Sequence, residues 1–153
     1  MEREFKQRQI HDFFRDFSSL GNIWFYLIVV LFFMIFENKA IANKLLIGLV
    51  LIYALTIAIR SFYFKERPTK YSHSSYIEKI DASSFPSLHS ARIVFLSIFL
   101  MNYFEELLFS VLLVILAIIV VYSRIYLKKH DFSDVSAGAI LGAAVYFIVN
   151  ALF

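Results

Sequence analysis

Apolar residues fall in long blocks separated by short polar punctuation. Five blocks reach or approach membrane length, at roughly 22–36, 44–64, 87–103, 107–127 and 133–153, against about 17–25 residues for a spanning helix. None alternates with a period of two, and lipid leaves no partner for an unpaired backbone group, so the blocks predict helices rather than barrel strands. The first and third are short, which calls for tilt, local thinning of the bilayer or helical extension into the flanks. Ahead of them, residues 1–20 (MEREFKQRQIHDFFRDFSSL) mix charges with Phe5, Ile10, Phe13, Phe14 and Phe17. That mixture predicts an amphipathic helix lying on the membrane face. The expected architecture is all-α: a polytopic bundle of about five transmembrane helices over 21–153, with an interfacial helix over 1–20, as one membrane domain.

Composition agrees with a bilayer as the solvent. The chain has 153 residues, 60% hydrophobic and 18% aromatic, with mean hydropathy +0.71, well above the apolar share of a soluble domain. The stretch Asn22–Phe36, followed by Ala40-Ile41-Ala42, has the look of a signal peptide with a small-residue cleavage site. The expectation is instead a retained membrane helix. There is no cysteine, which excludes disulfides, thiolate nucleophiles and cysteine metal sites. The net charge is +3, but the basic residues sit between apolar blocks. That placement suits lipid headgroups or an anionic lipid substrate rather than nucleic acid.

Alternating loops place the N-terminus, 65–86 and 124–132 on one face. That face carries Arg3, Lys6, Arg8, Arg15, Arg60, Lys65, Arg67, Lys70, Lys79, Arg92, Arg124, Lys128 and Lys129. The opposite face carries Lys39 and Lys44. The positive-inside rule puts the first face in the cytoplasm.

Three polar clusters lie on that first face. In RSFYFKERP, Arg60 and Arg67 are nearly two helical turns apart and their side chains can converge, while Pro68 discourages helix at Arg67. In FPSLHSAR, Pro86 at a first helical position would leave backbone N–H groups free at the positive end of a helix dipole, beside Ser87 and His89. In SRIYLKKHDFSD, His130 and Asp134 are four apart, hence neighbours on one helical face, so that a carboxylate can polarise an imidazole. Arg124 ends the preceding block. Taken singly, the first cluster reads as snorkelling basic residues, the second as a plain helix start, and the third as an interfacial basic patch. Asp134 fits the last of these poorly, because an acid opening an apolar block needs a partner or a purpose. Brought together by short helices, three arginines, two histidines and an aspartate make one pocket. Three guanidinium groups repel a metal cation and grip a phosphate. No nucleotide P-loop pattern is present, which leaves an anionic lipid phosphate as the candidate ligand.

The ordered set resembles the PAP2 superfamily of membrane-integral lipid phosphatases, the type 2 phosphatidic acid phosphatases. Their signature is Lys, six residues and Arg-Pro; then Pro-Ser-Gly-His; then Ser-Arg, five residues, His, three residues and Asp. Here it reads Arg60…Arg67-Pro68, Pro86-Ser87-Leu88-His89 and Ser123-Arg124…His130…Asp134, and the likeness spans about 40–145. Gly138 and Gly142 follow at a spacing that lets helices pack closely. The resemblance implies that His130 attacks phosphorus to form a phosphohistidine and that Asp134 orients it. His89 would protonate the leaving oxygen and then take a proton from water. Arg60, Arg67, Arg124, Ser87 and the amides near Leu88 would hold the phosphoryl oxygens, with Ser123 as a minor contact and no metal or other cofactor. Substrate partners would be lipid phosphates or diphosphates.

Arg60 replaces the family lysine and Leu88 its glycine. Pro-Ser-Leu-His is similar to the version in inositol-phosphorylceramide synthase-like relatives, so a headgroup phosphotransferase stands as an alternative, as does a non-catalytic lipid-binding membrane protein. Elsewhere, Glu105 and Glu106 read as residues of a tight interfacial turn, His11 and His73 as solvated, and Trp24 as an interface anchor. The expected location is a cell membrane. Bacterial and luminal family members imply a site outside the cytoplasm, opposite to the side indicated by the lysines and arginines.

Overall fold

The computed structural model describes residues 1–153 apart from 38, 69–77, 79 and 81. Lys70, His73 and Lys79 therefore lie outside the described residues. Helix α1 covers Glu2–Ser18 and ends in a 3-10 turn at Ser19–Gly21; α2 covers Ile23–Phe32 and passes into a π-helical turn at Phe33–Glu37. Then come α3 (Lys39–Phe62), α4 (Leu88–Phe104), α5 (Leu107–Tyr126) and α6 (Phe132–Leu152). The described residues form no strand, and the protein is an all-α membrane helix bundle.

Three of the five expected spans, α3, α5 and α6, are long and apolar enough to cross a bilayer unaided. The 24 residues of α3 reach about 36 Å at 1.5 Å per residue. The first block and the segment before it meet at Asn22. Asn22 is extended (φ −78°, ψ 156°) and its side chain accepts the Ile23 N–H at 2.6 Å, so the helix breaks there. The segments on either side, Glu2–Gly21 and Ile23–Phe36, meet at a bend of 50°.

Nor does α1 merely rest on a surface. Phe14 packs in tilted contacts against Tyr126 and Tyr122 of α5, with ring centroids 4.5 and 5.4 Å apart, and Ser18 is buried. Phe5, Ile10 and Phe13 remain exposed, as an amphipathic helix at a lipid surface requires. Trp24 is exposed, as an interface anchor should be, and His11 stands at the surface beside Asp12. Glu105, at φ 54°, ends α4 and Glu106 begins α5, which makes the expected tight turn.

Helix α4 is the axis of the bundle. Its Ala91, Phe95, Leu96 and Leu100 are packed among α2, α3 and α6 through Tyr26, Leu45, Leu49, Ile52, Val145 and Val149. Two close approaches set this arrangement. The Phe95 ring occupies the space that a side chain at Gly48 of α3 would need. On α6, a Cβ at Gly138 would meet the Ser87 carbonyl oxygen, and one at Gly142 the Ala91 carbonyl oxygen. Both glycines thus let the α6 backbone lie against that of α4, as their spacing predicts. On the outside, Leu108, Val111, Leu112, Ile115 and Ile118 of α5 are exposed. Water does not tolerate an apolar face of this extent, and hydrocarbon does. The protein is integral to a membrane.

Candidate active site

At the end of the bundle where α3 and α5 finish and α4 and α6 begin, a cavity of about 240 Å³ is lined by Asn22, Ile23, Tyr53, Arg60, Arg67, Leu88, His89, Arg92, Arg124 and His130. The three motif clusters converge here.

Arg60 closes α3 and is 5% exposed. Its Nη1 donates to the Ile80 carbonyl at 3.2 Å and its Nη2 to the Pro86 carbonyl at 3.1 Å. It therefore ties the approach to α4 down while lining the cavity. A lysine has one compact ammonium and could not hold two separated carbonyls in a fixed fork. Beyond Phe62 the chain leaves the helix, and Ser84 N–H bonds the Lys65 carbonyl at 2.8 Å. The Ser84 hydroxyl contacts the carbonyls of Lys65 and Glu66 at 3.2 and 3.1 Å. This pairing of 65–66 with 83–84 presents Arg67 to the cavity.

The helix opened by FPSLHSAR starts two residues later than its proline suggests. Ser87 is the N-cap (φ −73°, ψ 113°), α4 begins at Leu88, and Pro86 precedes the cap. Ser87 does not face the cavity. Its hydroxyl takes the Ser90 N–H at 3.4 Å and the Ser90 hydroxyl at 3.1 Å, and its own N–H bonds the Asp134 carbonyl at 3.0 Å. The amides of Leu88 and His89 come first in the turn, where a helix supplies no acceptor, and both residues line the cavity. Ser123 is likewise turned away, bonding its hydroxyl to the Val120 carbonyl at 2.6 Å.

His130 belongs to the turn between α5 and α6, so it does not share a helical face with Asp134. Lys128 adopts φ 53°, a left-handed step rare outside glycine. The N–H groups of Lys129 and His130 then fold back onto the Arg124 carbonyl at 3.0 and 3.2 Å. That tight turn sets His130 and Arg124 on one cavity wall. Burial, then the charges of Arg124 and Arg67, lower the His130 pKa to about 4, against the opposing effects of Asp134 and a hydrogen bond to the Ser84 backbone. The imidazole is therefore neutral at physiological pH, with a lone pair available.

Asp134 lies behind His130, its side chain wholly buried. Oδ2 stands 3.7 Å from His130 Nδ1 and accepts the Asp131 N–H at 2.9 Å, which completes a capping box at the start of α6. Oδ1 pairs with Lys65 Nζ at 2.7 Å, and the same ammonium reaches Ser133 Oγ at 2.8 Å and Asp131 Oδ2 at 3.3 Å. Burial works against the charge on Lys65, yet hydrogen bonds to Asp134 and Asp131 hold its pKa above the ordinary lysine value. The acid at the head of the apolar block thus has a cap, a cation and a neighbouring imidazole. Lys65→Met is expected to leave this buried carboxylate without its cation and to cost about 1–3 kcal/mol, read as a lower unfolding temperature in detergent. An unchanged unfolding temperature would mean that water solvates Asp134 adequately.

Sequence reasoning did not assign Lys65, Arg92, Tyr53 or Asn22 to the site. Arg92 carried a usable signal, a charge inside an apolar helix one turn past His89. Lys65 carried none, because its partner is sixty-nine positions away.

The pocket thus lies at one end of a polytopic membrane bundle. Residues 41–153 match the family model described as PAP2 superfamily, and the chain belongs to that superfamily. Among solved structures it is similar to the LpxE of Aquifex aeolicus, with a TM-score of 0.77 and 24% identity over 94% of this chain and 86% of that one. It is also similar to a transmembrane PAP2 type phosphatidylglycerolphosphate phosphatase from Bacillus subtilis, with a TM-score of 0.74 and 21% identity over 94% and 76%.

Proposed function

We propose that the protein hydrolyses a lipid phosphate or diphosphate through a phosphohistidine on His130, without a metal ion. The observation that carries this reading is the convergence of His130, His89, Arg60, Arg67 and Arg124 on one cavity, with the Asp134 carboxylate behind His130. In the first step the neutral imidazole of His130 bonds to phosphorus and the ester oxygen departs. His89, across the cavity, gives that oxygen a proton, and Asp134 compensates the positive charge that the ring acquires. In the second step water displaces His130 and His89 recovers a proton. Arg60, Arg67 and Arg124 hold the phosphoryl oxygens, helped by the first amides of α4 at Leu88 and His89, where the helix dipole favours an anion. Ser87 and Ser123 act as structural supports, given where their hydroxyls are engaged.

Substrates of this class place their phosphate at the depth of the lipid headgroups, where the cavity stands at the ends of the helices. The lysine and arginine distribution favours a site on the cytoplasmic side of a cell membrane. The test is phosphate release by detergent-purified protein, with chelator present, from polyprenyl diphosphates and phosphorylated glycerolipids. Release in chelator is the expected result. An alcohol-linked lipid product in place of free phosphate would establish headgroup transfer instead, the reading favoured by Leu88. No turnover of any lipid phosphate would leave a lipid-binding protein.

A further inference from the structure

Arg92 is a fourth guanidinium in a cavity where three suffice for one phosphoryl group. It is 4% exposed and lies on the His89 side. Its Nη2 is 3.5 Å from His89 Nδ1, its Nη1 donates to the Tyr53 hydroxyl at 2.6 Å, and its Nε donates to the Gly21 carbonyl at 3.0 Å. These contacts use three of the five N–H donors of a guanidinium, so that the group retains donors for a ligand in the cavity it lines. Tyr53, accepting from Arg92, keeps its own O–H to donate, and the Asn22 amide lines the same wall. At about 30 Å³ per water molecule, the cavity of about 240 Å³ exceeds what one phosphate fills. Beyond this wall, Ile23 and Tyr53 are shared with an apolar groove of about 450 Å³ between α2 and α3, lined also by Leu49, Val50, Ala54 and Ile57.

We propose that Arg92, Tyr53 and Asn22 form a second anionic subsite for the leaving group, which makes the preferred substrate a lipid diphosphate whose chain runs into the groove at Ile23 and Tyr53. This rests on the phosphatase reading above and names the substrate class for that site. The contact at His89 supports it. Arginine only donates, so Nδ1 accepts and the ring carries its proton on Nε2. The Nε2 proton is then the one that His89 can share with the leaving oxygen. An alkoxide, whose conjugate acid is about as weak as water, needs a full proton to depart. A phosphate, with its second pKa near 6, needs charge neutralisation instead, and Arg92 supplies that. For such a substrate, His130 bonds to the terminal phosphorus and the bridging P–O bond breaks. Its electron pair stays on the lipid monophosphate, which is hydrogen-bonded by His89 and paired with Arg92. Water then bonds to the same phosphorus, the P–N pair returns to His130, and the surplus proton is taken up by the lipid monophosphate.

The experiment compares farnesyl diphosphate with farnesyl monophosphate for the wild type, Arg92→Met, Arg92→Lys and Tyr53→Phe. The wild type is expected to favour the diphosphate about tenfold or more in kcat/KM. Arg92→Met should lose about 10–100-fold on the diphosphate, as for a lost charge-assisted contact, and a several-fold smaller factor on the monophosphate. Arg92→Lys should fall in between. Equal losses on both substrates would reduce Arg92 to a tether for Gly21 and overturn the subsite. Should Arg92→Met not fold, Tyr53→Phe reads the same ratio, with an expected selective loss of about 3–10-fold on the diphosphate. Calorimetric titration with a methylene-bridged lipid bisphosphonate and the matching monophosphonate separates the two ideas. Preferential bisphosphonate binding without any turnover would remove the phosphatase reading and keep the subsite. Turnover without that preference would do the reverse.

Discussion

The His130→Ala variant is expected to release phosphate at least ~10⁴-fold more slowly than the wild type, the scale on which loss of a nucleophile is felt. Its fold should survive. What His130 contributes to the turn is its backbone N–H on the Arg124 carbonyl; alanine keeps that bond and gives up only the side-chain bond to the Ser84 backbone. The side chain it removes is the only imidazole with the Asp134 carboxylate behind it among the described residues. His89 has Arg92 as its neighbour instead, and so cannot take over. The measurement is single-turnover phosphate release with a labelled substrate, accompanied by acid-labile label on the wild-type protein that is missing from the variant. Undiminished release would sink His130 as the nucleophile.

The second large effect is expected at Gly138. In Gly138→Val the new Cβ runs into the Ser87 carbonyl oxygen and stands 3.0 Å from the Ser90 Cβ. The first is backbone and cannot rotate aside, so α4 and α6 must separate. Overpacking of this kind costs about 1–3 kcal/mol. The separation also stretches the 3.0 Å bond from Ser87 N–H to the Asp134 carbonyl, which sets His89 against His130. A displacement of even 1 Å between reacting groups costs about 10²-fold in rate. Gly142→Val is the control, because it strikes the Ala91 carbonyl one turn farther from the site. Both variants should lower the unfolding temperature in detergent, and Gly138→Val should lose far more activity. Equal activity losses would show that the α4–α6 contact acts on stability alone.

Much of this protein could be read directly from its sequence because lipid simplifies the problem. A segment that must satisfy its backbone without water has helix as its one open form, so the apolar blocks gave α5 and α6 nearly to the residue, while α3 begins five residues before its block. The site clusters were legible for a related reason. A charge at the edge of an apolar block is expensive, and Arg60, Arg67, Arg124, His130 and Asp134 all sit at such edges. Gly138 and Gly142 announced a close helix contact through their spacing.

The rest depended on contacts distant in sequence. The break at Asn22 falls where the interfacial segment and the first block were expected to meet, but the 50° bend between them is not recorded in the periodicity of either. Pro86 fell ahead of the helix rather than inside it because Ser87 could cap and simultaneously bond Asp134. Ser87 and Ser123 match the family motif, yet the Ser87 hydroxyl accepts from Ser90 and the Ser123 hydroxyl donates to the Val120 carbonyl. Lys65, Tyr53 and Asn22 join the site only because three separate helices end, begin or pass at that cavity. The sequence determined that the chain lives in a membrane as helices and which charged residues gather at one end. Tertiary structure decided which of them touch, since a hydrogen bond reaches about 3 Å and no local pattern fixes distances of that kind between helices.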